Sequence, residues 1–126
     1  MKMLISIVVG ACLFISTLLF AHGGDKPGPH GGKIEMPGPY HVEAVRKDLK
    51  TFEVYLLDIE FANPITKNSE VKARILADKN ISLSCTVESE IFYRCKTETK
   101  LKKSVVLIIE SNRNGVEGNE AKFEFK

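Results

Sequence analysis

Residues 81–96, ISLSCTVESEIFYRCK, decide the fold. Ile81, Leu83, Cys85 and Val87 alternate with Ser82, Ser84, Thr86 and Glu88, the period-2 pattern of a strand with one buried face. A turn near Glu90 folds the second half back, so that Cys85 opposes Cys95, Val87 opposes Tyr93, and all four share one face. Directly opposed residues of an antiparallel pair stand at a Cα separation that suits a disulfide, whereas a slip of one residue would spoil it.

The same alternation extends outward in both directions. TFEVYLLD places Phe52, Val54 and Leu56 inward, EVKARILA does the same with Val71, Ala73, Ile75 and Ala77, and Lys122–Lys126 alternates as cleanly. SVVLII is a continuous run suited to a central strand buried on both faces. Asn63-Pro64, Asp78-Lys79-Asn80 and Asn114-Gly115 punctuate the runs as turns. No useful length shows a helical period. The expected fold is all-β, an immunoglobulin-like antiparallel sandwich of seven or eight strands over residues 40–126, with no repeat and no second domain.

The start of the chain reads as an export signal. Met1-Lys2-Met3 is a short basic head, Leu4 to Phe20 is apolar and uncharged, and Ala21 is a small residue suited to cleavage. Two alternatives are an uncleaved anchor and a lipidated Cys12 after Val9-Gly10-Ala11; the apolar run continuing past Cys12 argues against the second. Removal of residues 1–21 leaves 105 residues, one domain's worth. Cys12 leaves with the signal, and the remaining pair Cys85 and Cys95 suits an oxidising, periplasmic or secreted location.

Charge excludes one class of partner. The mature chain keeps 17 Lys+Arg against 16 Asp+Glu, scattered among one another, and offers no electrostatic case for nucleic acid. It has no nucleophile–base–acid set, no phosphate-cradling glycine loop and no recognisable carboxylate pair, so no enzyme is expected. Contact with a membrane is expected only through the N-terminal segment, should it stay uncleaved.

Chemistry concentrates in HGGDKPGPHGGKIEMPGPYH, residues 22–41, which holds all 3 histidines of the chain. Residues 22–39 form a Gly/Pro/His-rich leader too poor in apolar surface to bury its histidines in a core. After cleavage His22 offers an α-amine and an imidazole, a pair suited to Cu(II), Ni(II) or Zn(II). His30 lies among glycines that let the backbone approach whatever the ring binds. His41, in YHVEAV, shares the outer strand face with Glu43 while Val42 and Ala44 turn inward. Met36 adds a thioether, which with imidazole favours Cu(I). Glu35 and Glu43 are candidate second partners that fix an imidazole tautomer. The simpler view makes the leader a mobile tail and Met36 a packing residue. Three histidines spread this widely converge only if the leader folds back on the sheet.

GPHGGKI, YHVEAV, FEVYLLD and AKFEFK, in that order, resemble a family of small exported β-sandwich proteins and of N-terminal domains on heavy-metal efflux adaptor subunits. The resemblance covers most of the mature chain, with GPHGG and YHVE its specific parts. It implies a periplasmic role beside copper or other heavy-metal export, with His30 and His41 at the motif positions. The chain departs from the family in its Cys85/Cys95 pair and in an Asn63–Glu70 connection without the usual aspartate–glycine turn.

Two functions follow as expectations. One is a copper-binding (or zinc-binding) exported protein that exchanges metal with partners such as a membrane efflux complex. Because binding needs neutral imidazole, its affinity should weaken below about pH 6.5, the ordinary histidine pKa. The other is a metal-free interaction sandwich that recruits a membrane-complex partner by strand addition at an open sheet edge.

Overall fold

A computed structural model describes residues 26–126. The expected signal segment and His22 lie outside the described residues. Nine strands and no helix make up what is described: β1 (Lys33–Glu35), β2 (His41–Arg46), β3 (Thr51–Leu57), β4 (Glu70–Ile75), β5 (Ile81–Val87), β6 (Tyr93–Lys96), β7 (Val105–Arg113), β8 (Val116–Glu117) and β9 (Ala121–Phe125).

All pairings are antiparallel. One sheet runs β1-β2-β3-β6-β5, the other joins β4 to β7 and β7 to β9, and β5 also pairs with β4, so the whole is a nearly closed sandwich. With β2 taken as the first strand, the two sheets are ABED and CFG, the Greek-key arrangement of an immunoglobulin-like domain. Residues 40–126 carry eight of these strands, β2 to β9, as expected, and the ninth lies before them. The leader itself supplies β1, and two residues after the Asn114-Gly115 turn supply β8. That turn has φ of 51° at Asn114 and 81° at Gly115, the twist a tight hairpin demands.

Alternation along the strands fills the core. Phe52, Val54 and Leu56 of β3 are fully buried, as are Val42 and Ala44 of β2, and they pack with Leu107, Ile109 and Phe123 from the opposite sheet. Val71, Ala73 and Ile75 of β4 join them, but Ala77 lies past the strand end and is exposed. β7 is central, between β4 and β9, and is buried on both faces only at Leu107–Ile109.

The 81–96 hairpin is present in the expected register: Cys85 pairs with Cys95, Val87 with Tyr93, and the two cysteines form a disulfide. Such a bond is compatible with an oxidising, exported environment. Tyr93 and Cys95 face the core, whereas Val87, the last residue of β5 before the 88–92 turn, is 60% exposed.

The register also sets the ends of the sandwich. His41 pairs with Leu57, Glu70 with Asn112 and Val87 with Tyr93, so the loops at 36–40, 58–69, 88–92 and 113–120 gather at one end. Loops 47–50, 76–80 and 97–104 gather at the other.

Candidate metal centre

The leader folds back on the outer face of β2. Glu43 points away from the core, yet it is fully buried because Gly28 to Gly32 lie across it. Its Oε2 accepts the backbone N–H of His30 at 2.8 Å and of Gly32 at 2.9 Å, and its Oε1 accepts from His30 Nδ1 at 2.6 Å. A buried carboxylate is tolerated only when its lone pairs are met in this way.

The GPHGG motif follows from that close approach. A Cβ on Gly28 would land on the Glu43 carboxylate and on Ile34. One on Gly32 would stand 2.5 Å from the Ala44 carbonyl oxygen. Gly31, at φ 79°, makes the turn between them, closed by its N–H donating to the Gly28 carbonyl at 2.9 Å.

His30 lies flat on Tyr55, with centroids 3.7 Å apart and planes within 7°. Tyr55 is the residue opposite Glu43 on β3, and Phe92 stacks beyond it. Burial, together with the neighbouring Glu53 and Glu43 carboxylates, pushes the Tyr55 phenol above its ordinary value and keeps it protonated.

His41 is the next outward residue along β2, roughly 7 Å from Glu43 on an extended strand. It was expected to be open to solvent, but it is 7% exposed because the 58–63 turn closes over it. Its Nδ1 meets the Asp58 carbonyl oxygen at 3.1 Å, and Phe61 stacks on its ring at 3.9 Å. Phe61 holds φ 61° and Asn63 φ 51°, left-handed conformations that are uncommon for a bulky residue. The Asp58 side chain maintains the turn by accepting the N–H groups of Glu60 and Ala62 and the side-chain amide of Asn63. The same bonds, that of Ala62 first, hold its carboxyl below the ordinary aspartate value.

The hydrogen bonds fix both imidazole tautomers. A carboxylate and a carbonyl oxygen can only accept, so Nδ1 carries the proton in each neutral ring and Nε2 keeps its lone pair. Neither Nε2 has a protein partner among the described residues, and no buried polar side-chain atom there is left unpaired, so each keeps some contact with solvent, that of His41 narrow because the residue is only 7% exposed. This Nδ1-to-acceptor arrangement is how metal-binding histidines are oriented.

Other proposed ligands are placed less centrally. Met36 is 54% exposed and leaves the sheet beside His41, because the residue before it, Glu35, pairs with Val42. Glu35 makes no hydrogen bond to either histidine; it alternates with Ile34 and so faces away from Glu43, toward Lys122 and Lys126. Among the described residues, no three side chains of His, Cys, Asp or Glu gather around one point. His30 and His41 are the two imidazole donors on this outer face, and a complete coordination shell would need further donors besides them.

Tyr55, Asp58 and Phe61 escaped the sequence reading. Tyr55 was within reach once β2 and β3 were paired in register, whereas Phe61 depends on a left-handed turn that no glycine announces. Compared with known proteins, the chain matches no family model, no curated protein and no solved structure.

Proposed function

We propose that this chain is an exported, periplasmic protein that binds a transition metal, copper foremost, through Nε2 of His30 and His41, and serves metal resistance or efflux by ligand exchange. A single observation supports it: two histidines on one outer face each have Nδ1 held by a fixed acceptor and Nε2 free. An incomplete shell suits exchange, since an incoming donor finds open positions. Met36 beside His41 inclines the set toward Cu(I). No chemical step on a substrate is required of the protein.

The test is competition titration of the mature chain with Cu(I), Cu(II) and Zn(II) against chromophoric chelators, beside a His30→Ala/His41→Ala variant. At least a 100-fold loss of affinity for one of these ions is expected in the variant. Equal affinity of both proteins for all three would end the proposal.

A second reading, an interaction module, has its own support. Met36, Ile59, Phe61, Val87, Ile91 and Val116, all exposed, stand at the end of the sandwich that bears His41, and among the described residues only Leu76 of the exposed large apolar side chains stands elsewhere. Such a cluster is the mark of a docking surface. Its partner binding would survive loss of both histidines.

A further inference from the structure

Lysines and acids interleaved along the sequence are separated by the fold. At the His41 end, the loops 58–70, 88–92 and 113–120 carry seven carboxylates against Lys67 and Arg113. At the opposite end, residues 46–50, 76–80 and 96–104 carry eight cations against Asp48, Asp78 and Glu98. A nearly neutral domain therefore has one acidic end and one basic end.

The basic end is held as a platform. Arg46 donates to the backbone carbonyls of Lys102 and Lys103, both at 2.6 Å. Leu101 N–H reaches the Leu49 carbonyl at 2.9 Å and Thr97 N–H the Lys50 carbonyl at 3.0 Å. These bonds fasten the 97–103 loop to the 47–50 turn, so Lys50, Lys100, Lys102 and Lys103 share one exposed surface, with Lys79 on the third loop of that end. Beside it an open groove of about 780 Å³ runs between the 75–78 and 99–106 segments, with Leu76 48% exposed at its edge.

We propose that this end docks the protein on a membrane leaflet rich in anionic phospholipid, with Leu76 entering the headgroup region. Exposed lysines are strongly hydrated point charges on flexible stems. They suit a diffuse anionic surface, whereas bidentate recognition of one phosphate favours arginine, and the single arginine here is spent on backbone carbonyls. The acidic, apolar-rimmed end bearing His41 would then point away from the lipid. The inference rests on charge and shape alone and does not depend on metal binding.

The test is co-sedimentation of the mature chain with vesicles of equal phosphatidylcholine and phosphatidylglycerol, and with pure phosphatidylcholine, at low and at 0.5 M salt. Salt-sensitive binding to the anionic vesicles alone is expected. The variant Lys100→Glu/Lys102→Glu/Lys103→Glu should bind about 100-fold more weakly, at roughly the worth of one lysine each near a charged surface. Adding Glu60→Lys/Glu90→Lys/Glu117→Lys to that variant restores net charge, and binding should stay weak because location matters. Lys50→Glu/Lys79→Glu, on the other two loops, should lose more than tenfold, which guards against one misfolded variant. Four results would overturn the proposal: no binding to the anionic vesicles, equal binding to both lipids, recovery of binding when net charge is restored, or displacement by millimolar glycerol phosphate. Pelleting without vesicles would also overturn it, since the basic end would then be taken by the acidic end of a second copy.

Discussion

Replacement of Glu43 by alanine is expected to detach the leader from the sheet and to cost about 3–5 kcal/mol. The size follows from what is lost: one fully buried carboxylate accepts two backbone amides and one imidazole N–H, and its removal orphans all three donors. Urea denaturation reads the cost. Hydrogen exchange at the Gly28–Gly32 amides reads its location, with protection lost there and kept at β7. Glu43→Gln separates structure from chemistry. Its amide oxygen still accepts the two backbone N–H groups, so stability should fall by only about 1–2 kcal/mol. Its NH₂, however, confronts His30 Nδ1–H, and the ring must move its proton to Nε2 to make that bond. Metal affinity should therefore drop far more in Glu43→Gln than its stability does. A variant that binds metal as well as the parent would remove Glu43 from the account.

The second large effect concerns a glycine. Gly32→Ala places a Cβ 2.5 Å from Ala44 O and 2.7 Å from Val45 Cγ2. The first of these is backbone in the middle of β2 and cannot turn aside as a side chain can. A cost of about 1–3 kcal/mol follows, with loss of the Gly32 N–H bond to Glu43. Gly31→Ala is the internal comparison. Nothing lies within 4 Å of its added Cβ, and only the φ of 79° opposes it, worth about 1 kcal/mol. Thermal unfolding of the two variants should rank Gly32→Ala well below Gly31→Ala. The reverse order would mean that the leader does not lie against β2 as described.

The strands were legible because their cause is local. Alternation at 71–75, 81–85 and 121–125 survives in the structure, since one buried face per strand dictates it, and the Cys85–Cys95 pairing follows from the same periodicity; in β3 it holds only over Thr51–Val54, because Tyr55 and Leu57 on the other face are buried too. The site was legible only in its residue types. His30, His41 and Glu43 could be singled out by their chemistry, and the glycines around His30 suggested a close approach. What is approached, a buried carboxylate, is fixed by contacts thirteen and eleven residues apart, beyond any periodicity. His41 misled for a related reason. Strand parity correctly turned it outward, but a turn held by Asp58 and Phe61 then covered it. Charge misled most, because lysines and acids that alternate along the chain fall on opposite ends once β-strands carry the loops apart.

The central claim is that both imidazoles are held as Nδ1–H tautomers with Nε2 open to a metal. Long-range ¹H–¹⁵N NMR on the ¹⁵N-labelled mature chain at pH 8, before and after Cu(I), tests it directly. The account predicts protonated-type Nδ1 and pyridine-type Nε2 shifts for His30 and His41 in the free protein, with Nε2 of both moving on addition of metal. Nε2–H tautomers at either residue, or metal-induced changes that bypass both Nε2 nitrogens, would contradict it.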